Sequence, residues 1–149
     1  MDKTTCHSCF VIESAGELRD GIGLVAAENG FFDPEEITKL LGIRPWDTKK
    51  MGTPRKNGHG VYTFSSWSGC RQDEPALDAR KQCLAIVREL TPHIPALDRI
   101  REACNVTFDI CIVPYIYHEQ APFLRFDGEI LSFCHRTGTG LIVDPYIYG

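Results

Sequence analysis

The sequence predicts a single α+β domain, with a central, mostly antiparallel sheet of about five strands and helices packed on one face. Three observations carry this reading. Runs of β-branched and aromatic residues with period-two alternation recur at Thr5–Glu13, Val61–Trp67 and Val106–Val113. A short helix is written out in full by its caps between Asp33 and Gly42. The order is strand, helix, strand, two helices, two strands, helix, strand, without the regular alternation of a parallel α/β protein. At 149 residues the chain suits one domain with one core, spanning 1–149.

In Thr5–Glu13, Cys6, Phe10 and Ile12 share one face with Ser8. Ser14–Gly30 holds four glycines and one apolar patch, Leu24-Val25-Ala26-Ala27, and reads as a long loop with at most a short strand or helical turn. Next, Asp33 caps a helix, Pro34 suits its first position, and Glu36 stands where a capping box would close. Ile37, Leu40 and Leu41 form its apolar side, and Gly42 ends it. About eight residues make a marginal helix, so it must dock on the sheet.

Arg44–Gly60 reads as a loop rich in Pro, Gly, Lys and Arg. Val61–Trp67 follows, with Val61, Thr63, Ser65 and Trp67 on one face. Pro75 opens a helix carrying Ala76, Ala79, Cys83, Ile86, Val87 and Leu90 at helical spacing, and Thr91-Pro92 stops it. Pro95 opens another, with Leu97, Ile100 and Cys104 inward and Asn105 at its end. After Val106–Val113, the segment Pro114–Pro122 reads as an aromatic turn and Phe123–Phe126 as a short strand. Asp127 caps a helix bearing Ile130, Leu131, Phe133 and Cys134, closed by Gly138. Leu141–Tyr148 reads as a last strand, interrupted by Pro145 and therefore at an edge or bulged.

Composition narrows the function classes. The net charge of −4 is the wrong sign for general phosphate binding. No window approaches a membrane span, and the first residues lack an apolar signal core, so a cytoplasmic protein is expected. Seven cysteines, an odd number at irregular spacing, argue against a disulfide scaffold and for reduced packing residues. Cys6-His7-Ser8-Cys9 lacks a second pair, and within a strand Cys6 and Cys9 point to opposite faces, so no metal site is expected.

Catalytic patterns are weak. Thr137-Gly138-Thr139-Gly140 is not followed by the Lys of a phosphate-binding loop, so no cofactor is assigned. Cys134 and His135 diverge on a helix, while His59 or His118 could meet a distant Cys or carboxylate. Glu35-Glu36, Asp73-Glu74 and Asp127/Glu129 stand at helix starts, where the helix dipole favours them. No catalytic residue is assigned.

Charge is uneven along the chain. Glu13–Glu36 holds seven acidic residues and one Arg, whereas Arg44–Gly60 holds five basic residues and one Asp. The basic loop with Trp46 is the one candidate for nucleic acid, and it reads better as a solvated loop. The acidic half suits a basic protein partner. Tyr115-Ile116-Tyr117-His118-Glu119 offers aromatic anchors beside acid, or else covers the edge of the core.

The N-terminal Thr-Thr-Cys…Phe-x-Ile strand, the helix Phe32-Asp33-Pro34-Glu35-Glu36-Ile37-Thr38-Lys39-Leu40-Leu41-Gly42-Ile43, the strand with Ser66-Trp67, the helix ending Glu89-Leu90 and a final strand ending in Tyr resemble a bacterial family, domain of unknown function 4279. The long Ser14–Gly30 segment and the aromatic Tyr115–Tyr117 turn depart from the family pattern. The family has no established catalytic motif, so no residue roles carry over. Some members resemble immunity proteins encoded beside toxins of interbacterial competition. The resemblance thus implies a non-enzymatic protein that occludes a cognate toxin. The expected contacts are Glu17, Asp20, Glu28, Asp73, Glu74, Tyr115, Tyr117 and Glu119. The alternatives are a small Cys/His or carboxylate enzyme and a nucleic-acid or regulatory module using residues 44–60.

Overall fold

The computed structural model describes residues 3–73 and 77–148. The strands are β1 (Thr5–Ser14), β2 (Gly16–Arg19), β3 (Gly23–Ala26), β4 (Asp47–Lys49), β5 (Ser66–Gln72), β6 (Val106–Tyr117), β7 (Thr139–Val143) and β8 (Tyr146–Tyr148). The helices are α1 (Pro34–Leu41), α2 (Ala79–Leu90), α3 (Ile94–Ala103) and α4 (Gly128–Thr137). The main sheet runs β4-β5-β1-β6-β7, with β8 also on β6. Pairings among β4, β5, β1 and β6 are antiparallel, while β7 and β8 lie parallel to β6. The expected α+β architecture is thus present, with its antiparallel part at the centre.

One face of the sheet is the core. Phe10, Ile12, Trp67, Phe108, Ile110 and Ile112 are all fully or nearly fully buried against Ile37 and Leu41 of α1, Ile86 and Leu90 of α2, Leu97 and Ile100 of α3 and Ile130 of α4. Burying a large apolar side chain contributes about 1.5–3 kcal/mol, so this layer dominates stability. Two polar contacts fix the helices on it. The Trp67 indole N–H donates to Thr38 Oγ1 at 3.0 Å, and Gln82 of α2 accepts from Ser8 and donates to the Cys6 carbonyl at 2.6 and 2.8 Å.

Helix α1 has the expected boundaries. Asp33 accepts from the Glu35 N–H and Gly42 ends the helix with φ 65°. The capping box is absent, because Glu36 turns along the helix to Lys39 instead. Helix α2 begins at Ala79 on an Asp78 cap, later than expected; Pro75 and Ala76 lie outside the described residues. Thr91-Pro92 does not end the helical path. A 3-10 turn, Thr91–His93, leads straight into α3.

Five sequence expectations need correction. Ser14–Gly30 is a β2–β3 hairpin, held where Ala26 N–H donates to the Thr63 carbonyl at 2.9 Å. The loop at residues 44–60 contains β4. The Val61–Trp67 strand is displaced to Ser66–Gln72, because the Tyr62 backbone pairs instead with the loop before it, donating to the Thr53 carbonyl and accepting from Gly52 N–H, both at 2.9 Å. Among the described residues Phe123–Phe126 forms a single bridge, Phe123 to Asp78. The aromatic turn is strand: β6 continues through Pro114 to Tyr117, and the turn starts at His118.

Backbone geometry explains how β6 tolerates Pro114. Ala15 N–H donates to the Asn105 carbonyl and Asp144 N–H to the Ile112 carbonyl. Odd residues of β6 therefore turn their backbone groups to β1, and even ones to β7. Pro114 lacks its N–H on the β7–β8 side, at the break between Val143 and Tyr146.

Candidate functional site

The helices cover one face of the sheet. The opposite face carries the alternate residues of every strand. Register aligns them in rows: Lys49–Ser66–Glu13–Thr107, then Asp47–Ser68–Val11–Asp109–Gly140, then Cys9–Cys111–Ile142, and last Thr5–Tyr115–Tyr146 and Tyr117–Tyr148. Most of these residues are partly exposed, so this open face is the broadest candidate surface.

At one end the face is aromatic. Tyr115 stacks on Tyr146 with ring centroids 5.5 Å apart and planes 18° apart, and Tyr117 on Tyr148 at 4.7 Å and 11°. His7 adjoins Tyr115 at 5.5 Å. Beside them lies a bulge. Cys70 and Arg71 together face Cys9 across the β1–β5 ladder, and Cys70 adopts φ 57°. The bulge turns Cys70 into the core and places Arg71 over the Trp46 ring, 4.3 Å from its centroid. Arg71 also donates to Asp73 at 2.6 Å. Burial, helped by the Arg71 charge, lowers the His7 pKa against the pull of Asp73. Burial raises the Cys9 thiol pKa, with the Trp46 hydrogen bond opposing.

At the other end are Glu13 and Asp109. Burial raises both carboxyl pKa values. Lys49 opposes the rise at Glu13, and Asp109 adds to it. Neither carboxylate has a hydrogen bond or ion pair among the described residues. A Cβ on Gly140 would meet an Asp109 carboxylate oxygen at 2.5 Å, so glycine leaves the space that this carboxylate fills. Among the described residues Lys49 acts on Glu13 only at a distance and nothing basic acts on Asp109, so an incoming cation stabilises both half-buried carboxylates.

The expected contact residues divide into two groups. Asp73, Tyr115, Tyr117 and Glu119 gather at the aromatic end, where β5 and β6 finish and β1 begins. Glu17 and Asp20 on the β2–β3 hairpin, and Glu28 after it, are exposed beyond the other end of β1. β1 alone spans about 30 Å, so the two groups do not form one patch. Glu74 lies outside the described residues. Sequence reading missed Glu13, Asp109, Tyr146 and Tyr148. The signal available was period-two alternation carried past Val113, which puts Asp109 and Tyr115 on one face.

The other candidates disperse. The basic loop is largely occupied within the chain: Lys56 and Lys49 pair with Asp47, Lys50 with Asp33, and Arg55 donates to the Val61 carbonyl. His59 and His118 are exposed loop residues, and Cys134 is buried while His135 is exposed. All seven cysteines are free thiols and five are buried. Among the described residues no group of three His, Cys, Asp or Glu side chains is placed to hold a metal ion, and no helix is long and apolar enough to cross a membrane. A groove of about 480 Å³ opens on the helix side between Ile94 and Phe133. Its charged rim is already paired, Glu129 with Arg88 and Arg136 with Asp98.

The model of one protein family, Domain of unknown function (DUF4279), matches residues 24–148. The chain belongs to this family. The match runs from β3 to the end of β8, covering α1, β5 and the whole aromatic end of β6. No curated protein and no solved structure matches the chain.

Proposed function

We propose that this member of the DUF4279 family is a non-enzymatic immunity protein that binds a cognate antibacterial toxin and covers its active or substrate-binding surface. The reading is carried by the open face, where stacked tyrosines stand on the same surface as Glu13 and Asp109, neither of which has an ion pair among the described residues. Tyr117 and Tyr115 are the anchors, flanked by Asp73 and Glu119. The two carboxylates take a Lys or Arg of the toxin. Aromatic anchors supply contact area with few rotors to order, and a positioned carboxylate selects a basic partner. The exposed Glu17, Asp20 and Glu28 lie outside this footprint and steer approach rather than anchor it. A typical stable interface buries about 800 Å² per partner. The protein acts in the cytoplasm of the cell it protects, against a toxin that works there.

The test is co-expression with the product of the neighbouring reading frame. That product is expected to harm cells lacking this chain and to co-purify with it when both are present. Tyr117→Ala is expected to weaken the complex by about 2 kcal/mol, and Asp109→Asn to weaken it with a smaller salt dependence than the parent. A neighbour that is harmless, or that never binds, overturns the reading.

A further inference from the structure

The two edges of the main sheet are built differently. The β4 edge is three residues long, and Lys56 reaches over it to donate to the Thr48 carbonyl at 2.8 Å and to the Asp47 carboxylate. The opposite edge is β7 followed by β8, and among the described residues no strand lies beyond it. Asp144 N–H points inward to the Ile112 carbonyl. By alternation Leu141, Val143 and residue 145 turn their backbone outward. Proline at 145 removes one outward donor, which leaves Leu141 and Val143 open. From Thr139 to Tyr148 the only charge is Asp144, and Ile142, Val143, Tyr146, Ile147 and Tyr148 are each at least 39% exposed. Natural edges are normally guarded by lysine, proline, a bulge or a covering element; β4 has its lysine, whereas here Pro145 guards a single position between β7 and β8 and leaves the β7 donors uncovered.

We propose that this edge pairs antiparallel with the β7 edge of a second copy of the chain, joining two sheets across a two-fold axis. Regularly spaced outward N–H and C=O groups are matched by another strand. An identical strand also fits on charge. Two acidic chains meet here along a stretch with one Asp each, while the acidic hairpin follows β1, two strands inward. Identical patches satisfying each other make the closed two-fold interface commonest in soluble oligomers. The joint would make the two open faces continuous, with the Tyr115–Tyr146 and Tyr117–Tyr148 stacks beside it. This pairing is independent of what the open face binds.

Sedimentation equilibrium of the full chain from about 1 to 500 μM tests it, alone and as Val143→Pro. The Val143 N–H faces outward, so proline removes no β6–β7 hydrogen bond but deletes a donor twice in the dimer. The parent mass is expected to rise with concentration towards twice the 16.8 kDa of one chain. The variant is expected to keep its circular dichroism and dissociate at a concentration higher by about tenfold or more. Amide exchange on the unmodified chain is the second readout, with Leu141 and Val143 slowing as concentration rises. A parent that stays monomeric, a proline variant that dimerises like the parent, or concentration-independent exchange at Leu141 and Val143 overturns the proposal. So does an edge that pairs only with another protein's strand.

Discussion

Gly69 and Trp67 stand two residues apart on the core face of β5. A Cβ built on Gly69 would lie inside contact distance of the Trp67 benzo ring, at 2.8 Å from Cζ3 and closer still to Cη2. Trp67 is 0% exposed, and its indole nitrogen holds Thr38 of α1, so the ring cannot swing into free space. Gly69→Ala therefore overpacks the core at a cost of about 1–3 kcal/mol. Trp67→Phe loses the Thr38 hydrogen bond and leaves the volume of the missing ring, also about 1–3 kcal/mol. In the double variant the phenyl ring ends short of the new methyl group, and the two defects partly cancel. The double variant is expected to be more stable than the sum of the singles predicts by about 1 kcal/mol or more. Urea unfolding followed by far-ultraviolet circular dichroism measures this without relying on tryptophan fluorescence, since the chain has a second tryptophan at Trp46. Additivity within about 0.5 kcal/mol would show that the ring does not lie over Gly69 and would refute the reasoning.

Three further outcomes follow from the same geometry. Asp33→Ala removes the cap on Glu35 N–H, at 3.0 Å, and the Lys50 ion pair, and should cost about 1 kcal/mol, with Asp33→Asn close to the parent in thermal unfolding. Glu13→Gln and Asp109→Asn should each stabilise the free protein near pH 7. Because burial raises both folded-state pKa values, native stability falls as pH rises from the unfolded carboxylate range through the raised folded value; the gain should shrink by about pH 4, and a loss of stability near neutrality would contradict it. Burial pushes the thiols of Cys83 and Cys111 up to about 12, so the native chain should react slowly with a thiol-titrating disulfide reagent, and all seven cysteines should react at once in denaturant.

What the sequence reveals is what is locally encoded. Asp33, Pro34 and Gly42 specify α1 within one short window, and Asp127 and Gly138 do the same for α4. The core face of β1 is legible because Cys6, Phe10 and Ile12 fall on one face at period two, with Ser8 as its one polar member. β5 is hidden because Ser66-Trp67-Ser68-Gly69-Cys70-Arg71-Gln72 has weak strand propensity and includes a bulge that only its partner β1 imposes. The end of β6 is hidden because Pro114 signals a break, and only the gap between β7 and β8 makes it harmless. The open face is the least legible part of the candidate site. Glu13 and Asp109 are nearly a hundred positions apart, and their lack of an ion pair among the described residues is a property of the assembled strands.

The strand order has a consequence for how the chain is made. β1 occupies the middle of the sheet, yet its neighbours begin only at Ser66 and Val106. At synthesis rates of about 5–20 residues per second, this central strand emerges seconds before either flank exists. No local turn can pair it meanwhile, since the hairpin that follows it closes on itself. Long-range pairings of this kind form slowly and leave apolar segments open to other chains. Ser8 and His7, interrupting the run between Cys6 and Phe10, keep that waiting segment more polar than its buried destiny requires.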